Sequence, residues 1–279
     1  MSGVFILRRE TVANGVKHII AVASGKGGVG KSTVTANLAL AMAKLGQRVG
    51  ILDADIYGPS QAQMFAVPAS QKPRSEDGQS FDPLTAHGIQ LMSMAFLVDQ
   101  KTPMIWRGPM ASGAFQQLLD QTRWDNLDFL FIDMPPGTGD IQLTMAQKVK
   151  VSGAVIVTTP QDIALLDAKR GIEMFRQVKI PVLGVVENMS LHTCSSCGHT
   201  EPVFGEGGGE RIASEYQTDL LGQLPLSLHI RQQMDIGQPV VISEPEGQVA
   251  AIFATIAAQV KEKVEAAPEE QAPEIVFGE

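Results

Sequence analysis

Three observations predict an α/β fold with a doubly wound, mainly parallel sheet. From His18 onward, short β-rich runs alternate with segments of helical apolar spacing, the pattern of successive strand–helix units. Residues 127–132, Leu-Asp-Phe-Leu-Phe-Ile, are nearly all apolar, as a strand covered on both faces must be. The third is Gly25-Lys26-Gly27-Gly28-Val29-Gly30-Lys31-Ser32, which fits the phosphate-loop pattern G-x-x-x-x-G-K-S/T at every position. Its context fits as well. Ile19–Ala23 is a β-rich run before it, and Val34, Leu38, Met42 and Leu45 follow at helical spacing up to Gly46, a natural helix stop.

The chain has 279 residues, enough for one large α/β domain or at most two. Hydrophobic residues make up 44% and charged residues 19%, so a sizeable core is expected and bulk disorder is excluded. A net charge of −8 argues against a general nucleic-acid-binding surface. No run reaches the ~18 apolar residues of a membrane span, and residues 1–9 lack the order of a secretory signal. Cys194 and Cys197 stand too close in sequence to staple a fold. These features predict a cytoplasmic protein with reduced thiols and no nucleic-acid or membrane partner.

Residues 1–16 carry no pattern and read as an N-terminal segment, with the main domain over 17–262. Arg48–Leu52 is the second strand and ends in Asp53-Ala54-Asp55, where the carboxyl ends of parallel strands bind ligands. Residues 67–90, rich in Pro, Gln, Ser and Asp, read as an excursion that contains a hairpin. The next helix is expected after Gly108-Pro109. The apolar strand at 127–132 runs into Asp133-Met134-Pro135-Pro136-Gly137, and Ala154–Val157 is the strand after it. Thr159-Pro160-Gln161-Asp162 reads as an N-cap, a proline at the first helical position and an acid at the third. Val182–Val186 is a further strand, and Gly205–Gly209 precedes another helix. Ser243-Glu244-Pro245-Glu246 has capping-box spacing before a last helix whose apolar face is Val249, Ile252, Phe253, Ile256 and Val260. That face lacks a lysine-rich polar side and reads as core packing, not a membrane surface. Met92, Met94, Met104 and Met110 read as core or interface filler. From Glu262 there are six glutamates and two prolines, so residues 263–279 are expected to form an acidic disordered tail.

A strand, a glycine-rich loop and a helix N-terminus aim backbone N–H groups and the positive helix end at one point. The sheet is therefore of the phosphate-loop NTPase type. Gly25 through Ser32, with Thr33, would hold the nucleotide, Lys31 would reach its β- and γ-phosphates, and Ser32 would ligate Mg²⁺. Asp133 has the Walker-B context of an acid that holds Mg²⁺. Of the second strand's acids, Asp55 is expected to position the attacking water and Asp53 to support the metal shell, the plainer reading being turn capping. Gly137-Thr138-Gly139-Asp140 resembles a switch that orders around a γ-phosphate.

His192-Thr193-Cys194-Ser195-Ser196-Cys197-Gly198-His199 holds a C-x-x-C pair that two thiolates could use for one metal centre. Zinc with His192 or His199, zinc bound by four cysteines of two chains, and two cysteines without metal all stay open on this loop alone. A thioredoxin-like pair is disfavoured, because that motif opens a helix.

Lys26, an added lysine at the start of the loop, resembles the deviant Walker A loop of the MinD/ParA/nitrogenase-reductase class. That resemblance implies a homodimer with two sandwiched nucleotides, Lys26 stabilising the transferring phosphoryl group in the partner's site. It also implies a base-reading role for Asn188. Glu187-Asn188-Met189-Ser190 is not the guanine reader's N-K-x-D, so ATP is expected. The ordered set of the loop, Asp53–Ser60, Asp133–Asp140, Glu187–Ser190, the C-x-x-C and Phe204–Gly209 closely resembles the Mrp/ApbC family of iron–sulfur cluster carrier ATPases, over about Val16 to Val260. The resemblance implies a slow ATPase whose Cys194 and Cys197, from each of two chains, share a 4Fe–4S cluster destined for apo iron–sulfur proteins. Cluster-assembly scaffolds would be further partners. The rivals are a positioning or partition ATPase, an electron-transfer ATPase with a permanent bridging cluster, and a zinc-bridged dimer.

Overall fold

A computed structural model describes residues 15–96 and 108–267. The first strand, β1 (Val16–Ala23), is central, and its apolar residues are buried from Ile19 on. It is hydrogen-bonded in parallel to β5 (Leu127–Asp133) on one side and β6 (Gly153–Thr158) on the other. β2 (Val49–Asp53) lies beyond β5, and β7 (Val182–Glu187) and then β10 (Leu220–Gln223) lie beyond β6. β3 (Leu84–Ala86) and β4 (Ile89–Ser93) close the other edge, so the eight-stranded order is β10-β7-β6-β1-β5-β2-β4-β3. Among the described strands of this sheet, only the β3–β4 pair is antiparallel. The expected hairpin is therefore present, running on to Ser93. Its two-residue turn, His87-Gly88, takes φ of 48° and 80°, the left-handed pair that matches strand twist.

The chain leaves β1 through α1 (Lys31–Lys44) to reach β2 on one side. It leaves β5 through α4 (Asp140–Lys148) and α5 (Asp162–Gln177) to reach β6 and β7 on the other. Right-handed crossovers in opposite directions put these helices on opposite faces. α1 packs against α8 (Val240–Ser243) and α9 (Gln248–Glu265). Every residue from Val34 to Met42 is buried, because sheet and helices cover α1 all round. α3 (Gly108–Gln121) packs on α4, and α5 on α6 (Gly208–Glu215). Phe129, Phe131, Phe175, Phe253 and Ile20 anchor the core.

Several boundaries move. β1 starts at Val16, one residue before the expected domain start, and α9 runs to Glu265, so residues 263–265 are helical and not tail. Residues 1–14 and 268–279 lie outside the described residues, as does Met104. α5 begins at Asp162 with Gln161 as its cap, so Asp162 is in the first turn but Pro160 precedes the helix. Ser243 ends α8, and a turn closed by the Gly247 N–H on the Glu244 carbonyl separates it from α9, so no capping box forms there. On α9, Phe253, Ile256 and Val260 are buried as core. Met92 and Met94 are core, whereas Met110 on α3 is 51% exposed.

Candidate nucleotide site and cysteine hairpin

The loop from Ser24 to Gly30 joins β1 to α1 at the carboxyl edge of the sheet. Gly28 and Gly30 both sit at φ 82°, a left-handed conformation that favours glycine. A Cβ on Gly25 would lie 2.0 Å from the Asp167 carbonyl oxygen of α5, and one on Gly30 would lie 2.2 Å from Asn188 Nδ2. α1 has no side-chain cap and no acid in its first turn. Its first N–H groups therefore lack the usual side-chain acceptor, and an anion suits that end of the helix. Lys26, Gly27 and Gly28 are exposed, while Val29 is buried beneath them. Lys26 makes no ion pair among the described residues.

Parallel pairing of β2 and β5 puts Asp53 directly beside Asp133. The Lys31 ammonium lies buried against Asp133 Oδ1, 3.2 Å from Ser32 Oγ and 3.9 Å from Asp55 Oδ2. Thr35 Oγ1 donates to the same Asp133 oxygen at 3.3 Å. Asp53 accepts from the backbone N–H of Asp55, Ser60 and Gln61 and from Ser93 Oγ, at 3.0–3.2 Å. Burial, then the neighbouring Asp133 carboxylate, pushes the Asp53 carboxyl up to about 7. Burial also raises Asp55, whose Oδ1 accepts from the Gly58 N–H at 3.2 Å. Among the described residues no three His, Cys, Asp or Glu side chains converge on one point as a metal cage requires. Asp53 is thus engaged by four donors, Asp133 by Lys31, Thr35 and Gln61, and Ser32 Oγ by Lys31.

The expected switch abuts the loop. The Gly137 N–H donates to the Ser24 carbonyl at 2.9 Å, and Pro136 lies 4.0 Å from where a Cβ on Gly27 would be. Asn188 is at the end of β7 and 8% exposed. Its N–H donates to the Thr158 carbonyl, and its Nδ2 donates to the Val29 carbonyl, both at 2.8 Å. Thr33 lies half-buried in the first turn of α1. One participant carried no sequence signal: Gln61, fully buried, whose Nε2 donates to Asp133 Oδ2 at 2.8 Å and to the Ser32 carbonyl at 3.0 Å. It belongs to no motif, and only the fold of the Asp53–Ser60 turn brings it there.

The cysteines stand apart from this cluster, on a small hairpin of β8 (His192–Thr193) and β9 (Thr200–Glu201). The Cys194 N–H donates to the His199 carbonyl at 2.8 Å, the Gly198 N–H donates to the Cys194 carbonyl at 2.9 Å, and Gly198 takes φ 74°. In this tight turn the N–H groups of Ser196 and Cys197 donate to the Cys194 sulfur, holding its thiol below the ordinary range. Cys197 is exposed. His192 Nδ1 faces the Leu226 carbonyl at 3.2 Å, and among the described residues no group of three His, Cys, Asp or Glu side chains includes the cysteines.

Fold and loop define a phosphate-loop nucleotide-binding protein of the α/β class. The family described as NUBPL iron-transfer P-loop NTPase, of the ParA type, matches residues 15–261. The chain belongs to that family. It is 63% identical over 242 residues to an iron–sulfur cluster carrier protein of Pseudomonas fragi, covering 87% of this chain and 84% of that one. It is 47% identical over 265 residues to the iron–sulfur cluster transfer protein NUBPL of Mus musculus, covering 94% and 82%. Among solved structures, a nucleotide-binding protein of Archaeoglobus fulgidus in complex with ADP is 38% identical, with a TM-score of 0.73 over 86% of this chain and 93% of that one. The cell-division ATPase MinD of Pyrococcus furiosus, 22% identical with a TM-score of 0.65 over 88% and 99%, shares the fold.

Proposed function

We propose that the protein is an ATP-hydrolysing carrier that receives an iron–sulfur cluster on Cys194 and Cys197 and passes it to apo-proteins. The observation that carries this reading is the end of β7, which serves both sites. Asn188 holds the Val29 carbonyl of the phosphate loop, and Cys194 follows six residues later in a turn that already favours its thiolate. The names of the relatives support the same cargo.

In this reading the N–H groups of Gly27 to Thr33 cradle the phosphates of ATP, and Lys31 leaves the carboxylates to meet the β- and γ-phosphates. Mg²⁺ would be held by Ser32 and Asp133 and would supply neutralisation of phosphate charge. Asp53 supports that shell from behind by fixing the Asp55–Gln61 turn. Asp55 orients the attacking water and accepts its proton, a role that its raised affinity for a proton suits. Asn188 Nδ2 is committed to Val29, which leaves Oδ1 to accept from the amine of adenine. Exposed Lys26 is placed to act on a partner's nucleotide.

One chain offers two cysteines, whereas a 4Fe–4S cube takes four thiolates, so two chains share one cluster at a two-fold axis. Apo iron–sulfur proteins and assembly scaffolds would be its partners, in the cytoplasm. No helix among the described residues is long and apolar enough to cross a membrane. The test is transfer. Cluster-loaded protein is mixed anaerobically with an apo-enzyme that needs a 4Fe–4S cluster, and regained enzyme activity is measured with and without ATP. Activation by the wild type and none by Cys194→Ala is expected. A loaded wild type that activates no acceptor contradicts the reading.

A further inference from the structure

Gln61 ties together three parts of the nucleotide site. Its side chain is fully buried. Nε2 donates both hydrogens, one to Asp133 Oδ2 at 2.8 Å and one to the Ser32 carbonyl at 3.0 Å, while its backbone N–H donates to Asp53 Oδ2 at 3.0 Å. The amide orientation is fixed by chemistry. Turned over, Oε1 would face a carboxylate and a carbonyl, which are two acceptors. As oriented, Oε1 is buried and meets no donor among the described residues. An acceptor buried without a donor is costly to leave unmet, and it stands on the same amide that touches the backbone of Ser32 and the side chain of Asp133.

We propose that Gln61 is a positioning residue for the metal of this site. Nε2 pins Asp133 Oδ2, so that Oδ1, the oxygen now facing Lys31 and Thr35, is the one presented to the cation. Oε1 accepts a hydrogen bond from a water on that cation. Metal-bound waters are strong donors, and an amide oxygen accepts from them without adding charge to a site that already holds three carboxylates. A carboxylate in its place would repel Asp133. This proposal rests on the Mg²⁺–nucleotide reading above.

If Gln61 merely braced the start of α2 (Gln61–Met64), its loss would lower stability and leave the metal requirement unchanged. The experiment is a titration of Mg²⁺ against a fluorescent ADP analogue, read as binding and not as turnover, on full-length wild type and Gln61→Leu. Analogue affinity in EDTA is measured alongside. A roughly 10-fold rise in the Mg²⁺ midpoint for Gln61→Leu, with affinity in EDTA within about twofold of wild type, is expected. An unchanged midpoint, or an equal loss with and without Mg²⁺, overturns the proposal. Gln61→Met, of similar length, is read the same way if the leucine variant does not fold. A wild type whose analogue binding ignores Mg²⁺ overturns the underlying metal–nucleotide reading and the Gln61 role with it, whereas a Mg²⁺-dependent wild type with an unshifted variant removes Gln61 alone.

Discussion

At the scale of single residues, Lys31 is the cation that lets Asp53, Asp55 and Asp133 share one buried corner. Removing a buried partner leaves charge uncompensated, which costs about 3–5 kcal/mol for an isolated pair. Lys31→Ala is therefore expected to abolish nearly all ATP turnover and to lower the melting temperature of the nucleotide-free protein. Phosphate release and a thermal scan check both, and unchanged turnover refutes the phosphate-loop role. A second corner predicts a pH dependence. Asp128 accepts from the Arg48 side chain at 3.0 Å and from Lys17 at 2.7 Å, joining β5 to the strand starts on either side. Arg48, then Lys17, hold its carboxyl well below the usual carboxylate range. A depressed folded-state affinity for protons means that the stabilisation is fully present above the ordinary value near 4 and is lost progressively as pH falls below it towards the lowered folded-state value. Both partners are largely exposed, so Asp128→Asn is expected to cost only about 1 kcal/mol at pH 7. Denaturant melts at pH 7 and at about pH 3 should show the gap between variant and wild type closing in acid.

At the scale of elements, the phosphate loop is held from below by β7 and from the side by α5. Gly25 approaches the Asp167 carbonyl so closely that a methyl group would lie 2.0 Å from its oxygen. Gly25→Ala forces backbone to move against backbone, an overpacking that costs about 1–3 kcal/mol. It should weaken nucleotide binding by at least 10-fold, as read by equilibrium fluorescence. A variant that binds normally would show that the loop does not depend on this contact. The loop, the acids closing β2 and β5 and the cysteine pair were legible because each depends on residue type at short spacing. The hairpin was legible only from the composition of residues 67–90, and its turn at His87-Gly88 was not. What stayed hidden depends on contacts between distant segments. Gln61 reaches Asp133 across 72 positions, and Asn188 reaches Val29 across 159. β10 is a short edge strand with Leu221 as its buried residue, too little pattern to find. The caps read at Thr159 and Ser243 failed because local spacing competes with packing. Val240–Ser243 forms its own short helix against α1 and α9.

At the scale of the molecule, Lys26 and the cysteine hairpin both point outward from one chain. Lys26 is exposed and forms no ion pair among the described residues, and the two thiols on the hairpin are half of what a 4Fe–4S cluster takes. Both are explained if the working unit is two chains. Lys26→Ala is then expected to slow hydrolysis far more than it weakens ATP binding, because it loses an interaction made chiefly with the transferring phosphoryl group. Equal losses in turnover and affinity count against a transition-state role for Lys26. The most direct test of the central claim is anaerobic iron–sulfur reconstitution of wild type and Cys194→Ala, with absorbance, iron and sulfide analysis, and native mass. A cluster shared by two chains gives about two irons and two sulfides per chain in a dimer of the wild type, and neither cluster nor cluster-bridged dimer is expected in Cys194→Ala. Retained zinc in place of iron, or a full cluster on a single chain, would contradict it.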